Sequence, residues 1–133
     1  MTVRNWLAPL LVCTALWGCS SGPLKDLGAK ISDAVQPKAE KDLAAGVKLY
    51  EDGDYRRAAK LLQDSLDGGL SRAADQASAH KYLAFTYCVT SRERQCRDEF
   101  KKAMDADPGF DLDAAEAGHP IWGPVFRGVK AKK

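Results

Sequence analysis

From Ala39 onward the apolar residues of this chain fall at helical spacing, β-branched residues are few, and no strand-like alternation appears. The pattern predicts an all-α fold. A first helix is expected over Ala39–Asp52, stopped at Gly53-Asp54 because glycine tolerates the left-handed backbone that a helix end needs. A second is expected over Tyr55–Leu66, ended by Asp67-Gly68-Gly69. Ser71 or Asp75 is the expected cap of a third, over Ala73–Thr90, and a turn at Ser91–Arg94 leads to a fourth over Gln95–Asp105. Asp107-Pro108-Gly109 closes that helix. Asp113-Ala-Ala-Glu116 has the form of a capping box opening one more turn. His119-Pro120 interrupts it. A last helix then starts near Pro120 or Pro124, both suited to a first turn, and carries an apolar stripe of Trp122, Phe126 and Val129.

Upstream the pattern changes twice. Residues 19–38 open with Ser20-Ser21-Gly22-Pro23 and end near Pro37, the composition of a tether; Leu24, Leu27, Ile31 and Val35 nevertheless fall at helical spacing, so a short amphipathic helix is the alternative there. Residues 1–18 carry Arg4 and then a run, Trp6 to Trp17, that is apolar apart from Thr14. That run has the length of a signal h-region and is too short to span a bilayer. It ends in Leu16-Trp17-Gly18-Cys19. This resembles the bacterial lipobox, in which a Leu and a small residue precede an acylated Cys. The small residue fits the signal peptidase's tight site, and the thiol takes the diacylglycerol. An ordinary cleaved signal, or a membrane anchor with a chance Cys, is the alternative. One acyl chain anchors only marginally, at about 0.8 kcal/mol per buried CH₂. The resemblance implies several chains on Cys19. With Ser20 rather than Asp following, it also implies sorting to the outer membrane of a Gram-negative cell, facing the periplasm.

Composition narrows the function classes. The 133 residues allow one small domain and exclude a two-domain enzyme. Charge is nearly balanced, 20 Lys+Arg against 18 Asp+Glu, which gives no footprint for nucleic acid. Two His leave little for a metal site, and no cofactor motif is present. No catalytic constellation stands out: there is no Gly-x-Ser-x-Gly elbow, His80 sits where a packed histidine is ordinary, and His119 precedes a Pro and closes a turn. The chain therefore reads as a non-enzyme. Arg92, Arg94 and Arg97 form a charged edge, solvated or meeting an acidic partner. Of four Cys, Cys13 lies in the signal and Cys19 is the lipid site, so Cys88 and Cys96 remain as an even pair in an oxidising compartment.

Two helical hairpins of similar length invite a repeat comparison. Leu83-Ala84, Tyr87, Cys96, Phe100, Ala103 and Pro108 fall at the spacings of the tetratricopeptide repeat. Ala45-Gly46, Leu49, Gly53-Asp54-Tyr55, Ala58, Leu62, Ser65 and Leu66 match as an earlier unit. In this pattern Gly46 with Ala58, and Ala84 with Cys96, are small because paired helices cross there at close range. Ala58 and Cys96 lie a few positions further apart than the usual period of about 34 residues, and the extra residues are assigned to Asp67–Gln76. The chain thus resembles a tetratricopeptide protein: two helical hairpins plus a C-terminal capping helix, the domain covering residues 39–133. Trp122, Val125, Phe126 and Val129 supply the cap, with docking of a partner by this tail as the alternative. In the repeat register Cys88 ends one helix and Cys96 begins the next, so a disulfide between them is expected; two free buried thiols are the alternative.

The family presents the first helix of each repeat along a concave groove. The resemblance places Leu43, Val47, Tyr50 and Glu51, then Lys81, Phe85 and Val89, in that groove. Tyr50 and Phe85 are the expected apolar anchors and Lys81 the partner for a carboxylate, unless the chain's own segments fill the face. The C-terminal stretch also resembles, loosely, that of small accessory lipoproteins of type VI secretion gene clusters. The expected function is a membrane-anchored periplasmic scaffold that binds a protein or peptide of the bacterial envelope. A regulator of a cell-wall or polymer-export enzyme is the alternative.

Overall fold

The computed structural model describes the backbone of residues 24–133 and side chains from Lys38 onward. The expected signal segment and the expected lipid site at Cys19 lie outside the described residues. Those described form six helices and no strand: α1 (Leu24–Glu51), α2 (Tyr55–Asp67), α3 (Ala73–Val89), α4 (Glu93–Ala106), α5 (Ala114–Ala117) and α6 (Gly123–Lys130). The all-α expectation holds.

The largest departure is at the start. Leu24 to Lys38, expected as a tether, is helical and continuous with the expected first helix. The helical spacing of Leu24, Leu27, Ile31 and Val35 prevails over Pro37, whose missing N–H removes one ladder bond. At 1.5 Å per residue α1 is about 42 Å long.

The α1–α2 turn follows from its sequence. Gly53 takes φ 81°, which only glycine adopts without strain. The Asp54 carboxylate then accepts the Arg57 N–H at 3.1 Å, capping α2. Ala58, Leu62 and Ser65 form the buried face of α2, one turn apart each time. Gly46 faces them from α1, and a β-carbon placed on it would lie 2.8 Å from Leu62 Cγ, so the close crossing depends on glycine.

Helix α3 is the centre of the molecule. It packs against α1, α2 and α4, so its buried residues (Ala77, Ala79, Leu83, Ala84, Phe85, Thr86 and Cys88) wrap most of its circumference. Neither expected cap serves it: Arg72 occupies the cap position with no side-chain bond, and the Asp75 carboxylate is taken by the Arg72 guanidinium at 2.7 Å. Leu70 in the preceding connection is buried with Ala39 and Ala79, which pins that longer loop to α1 and α3.

Helix α4 shows a clean amphipathic stripe of Cys96, Glu99, Phe100, Ala103 and Met104. The α3–α4 turn is tight enough to force Ser91 to φ 62°. Across it Cys88 and Cys96 have α-carbons 5.2 Å apart and their sulfurs are joined. The Asp113–Glu116 capping box is present and opens α5. Pro124 lies in the first turn of α6. From α6 and the residue before it, Trp122, Phe126 and Val129 are buried in the core, with the Phe126 ring 5.2 Å from Phe100.

Digestion of the oxidised protein and mass mapping without reduction should recover a Cys88–Cys96 linked peptide. Quantitative alkylation of both thiols before any reduction would contradict it.

Candidate functional site

The side of α1 and α3 selected from the repeat register is built around aromatic rings. Tyr50, in the last turn of α1, has its ring 5.4 Å from Tyr82 and 6.0 Å from Phe85. Tyr82 and Phe85 are three residues apart on α3 and meet edge to face at 5.8 Å. Phe85 continues inward to Phe100 at 5.9 Å. Its other contact is the decisive one. The Trp122 indole stacks on it at 4.2 Å with the planes only 24° apart. The His119 ring in turn stacks on the indole at 3.4 Å.

Polar contacts fix this C-terminal segment in place. Lys81 Nζ donates to Glu116 Oε1 at 2.7 Å, with only about a fifth of each side chain exposed (18% and 21%). The other Glu116 oxygen accepts the Asp113 N–H at 3.3 Å, closing the capping box. Trp122 Nε1 donates to the Glu116 carbonyl at 2.9 Å, and Arg127 Nη1 donates to the Ala117 carbonyl at 2.8 Å. Burial, with the neighbouring Tyr55, Tyr82 and Glu116, pushes the Tyr50 phenol up to about 12, so it is neutral and a donor at any physiological pH.

The groove residues expected from sequence divide accordingly. Phe85 is 2% exposed and lies under Trp122, so it is a core residue and not an open anchor. Lys81 is taken by Glu116 rather than left for an incoming carboxylate. Val89 is half-buried against the main core. Val47 and Tyr50 are half-buried, Tyr50 against Tyr55, Tyr82 and Phe85, and Glu51 is exposed, so the α1 half of the face is partly covered. Leu43 is half-buried beside Ala39 and Leu70. The α3 half is filled by the chain's own residues 116–122. Sequence reasoning missed Tyr82, Glu116 and His119 as members of this face. Glu116 was visible only as a capping residue, because its second oxygen acts across the fold.

A second polar cluster lies between α3 and α4. Glu99 is 6% exposed, yet it is charge-compensated: His80 Nδ1 lies 2.6 Å from Oε2 and Lys102 Nζ 2.7 Å from Oε1. An ionised carboxylate only accepts, so Nδ1 carries the proton in that bond. Burial pushes the Glu99 carboxyl up, but the hydrogen bonds from His80 and Lys102, with their charges, outweigh it and hold the group below the usual carboxylate range. His80 is thus a packed residue with a structural partner.

Among the described residues no group of three or more His, Cys, Asp or Glu is arranged to hold a metal ion, and no helix is long and apolar enough to cross a membrane. Comparisons with protein-family models, with curated proteins and with solved structures each returned no match. The functional reading therefore rests on the residues themselves.

If Trp122 seals Phe85, then Phe85→Ala and Phe100→Ala should destabilise alike, by about 3–5 kcal/mol each. Urea unfolding monitored by circular dichroism measures both. A Phe85→Ala cost below about 1 kcal/mol would show an open face.

The Glu99 cluster fixes a pH dependence. A carboxylate depressed in the folded state contributes stability that is full above its unfolded value, about 4.3, and is lost as pH falls through the folded one. The wild-type melting temperature should fall on acidification below about pH 4.5. Glu99→Gln should melt lower at neutral pH and lose less on acidification. Parallel acid profiles for the two proteins would refute the assignment.

Proposed function

We propose that this chain is a lipid-anchored periplasmic scaffold, built on two tetratricopeptide-type helical hairpins, that binds a protein of the bacterial envelope. The observation that supports the reading is the recurrence of small, buried residues at matching positions of the two helix pairs. Gly46 and Ala58 are buried in α1/α2, and Ala84 and Cys96 are each 0% exposed in α3/α4. Small residues recur at the same register in both pairs, as a hairpin repeat requires for close crossing. The buried Cys88–Cys96 bridge suits an oxidising compartment and agrees with a signal ending at Cys19.

On this reading the anchor and the binding module are separated by a helical arm. The part of α1 that precedes Ala39 is about 22 Å long. It joins the module to the outer membrane more stiffly than an extended thread does. On this reading the α1 surface at Val47 and Glu51 meets the partner, while Tyr50 belongs with the aromatic seal on α3 that keeps the module folded. An accessory role in type VI secretion is the most specific form of this proposal, carried by resemblance of the C-terminal stretch alone.

Anchoring is directly testable. Cells fed an alkyne palmitate should label the wild-type protein, and Cys19→Ser should accumulate as unlabelled, uncleaved precursor. Equal labelling of the two would remove the lipid anchor from the account.

A further inference from the structure

We propose that the first turns of α1 lie along the membrane surface as an amphipathic helix, with lipid as the occupant of their apolar face; this rests on the anchored reading of Cys19 and deepens it. The backbone is one helix from Leu24 to Glu51. At about 100° per residue, Leu24, Leu27, Gly28, Ile31, Ala34 and Val35 share one face of it. That face is about 120° wide, the breadth of a buried helix stripe. Lys25 and Lys30 take its two borders, and Asp26 and Asp33 take the opposite side. Lys38, two turns past Ile31 on the same line, closes the stripe.

The packing of α1 on its own module does not account for this stripe. Ala39 and Gly46 lie two turns apart on the seam where α1 meets α2 and α3, and so do Leu43 and Tyr50. Carried back two turns at a time, that seam reaches Ser32 and Lys25 from Ala39, and Gln36 and Ala29 from Leu43. A helix that only extended the seam needs apolar residues at those positions, and Lys, Ser and Gln stand there instead. The apolar face is set about a quarter turn round from the seam. Two observations name lipid as its occupant. Cys19 precedes Leu24 by five residues, which span at most about 18 Å, so an acylated Cys19 keeps the start of α1 at the membrane. The order of charge is the second. Lysines that border an apolar face reach lipid phosphates while their stems lie beside acyl chains, and acids on the far side stay in water. A helix that pairs with a second copy commonly mixes both signs along its borders. Val47 and Glu51 fall nearly opposite the stripe on the same register, so a helix seated this way turns the partner surface toward the periplasm.

The test uses the full-length chain in its native envelope, with a photoreactive benzoylphenylalanine either at Ile31 on the stripe or at Asp33 on the far side. These positions are nearly level along the helix and differ in face. Irradiation should give several times more lipid adduct at Ile31 than at Asp33, with equal alkyne-palmitate labelling of the two proteins. In the purified acylated protein, Leu27→Asp combined with Ile31→Asp should leave the melting temperature unchanged, because the stripe stands off the seam of the module. Four results would each overturn the arm proposal and leave the anchored scaffold standing, provided the protein is labelled: equal lipid adducts at the two positions, no lipid adduct at Ile31, adducts of Ile31 to protein (a second copy included), or a lowered melting temperature. Protein that takes no palmitate would remove both readings.

Discussion

Helix α3 carries apolar residues around most of its surface, and every side of it needs a cover. Two sides are met by the neighbouring helices α1/α2 and α4. The remaining side is met by residues 116–122, above all by the Trp122 indole on Phe85. Phe85 also touches Tyr50, Tyr82 and Phe100, so this one stack joins α1, α3, α4 and the C-terminal segment. An aromatic pair of this kind contributes about 0.5–1.5 kcal/mol beyond the area it buries. Its larger effect is to exclude water from Phe85. The Lys81–Glu116 bridge adds orientation more than energy, since partly exposed pairs of this type are worth about 0–1 kcal/mol.

The contact of α3 with α4 is held by covalent and ionic means. The Cys88–Cys96 bridge closes a short loop, for which chain-entropy arguments give roughly 2–3 kcal/mol. It secures a turn in which Ser91 occupies the left-handed region. Glu99 is a buried charge that is stable only because two donors meet it, one from each helix. The α3–α4 pair therefore resists separation along its length.

Local features were legible in the sequence because they depend on near neighbours. The Gly53 turn, the Asp113–Glu116 capping box, the stripe of α4 and the Pro124 start of α6 are each set within a few residues. The buried positions of Trp122, Phe126 and Val129 followed from their spacing. Long-range choices were not legible. Nothing in the neighbourhood of Phe85 distinguishes an open groove anchor from a ring awaiting Trp122, many residues downstream. Lys81 looked free for the same reason. The helical state of Leu24 to Lys38 was offered by spacing and opposed by Pro37, and sequence alone does not weigh one lost hydrogen bond against continuity with a long helix.

The terminal segment completes the fold over α3, and this depends on its seat over Phe85. The most direct measurement is a double-mutant cycle on the purified protein, with Phe85→Ala, Trp122→Ala and the pair compared by urea unfolding. The account predicts that the double variant is less destabilised than the sum of the single ones, by about 0.5–1.5 kcal/mol or more. Strict additivity of the two substitutions would show that the indole does not hold Phe85, and would contradict the sealed face.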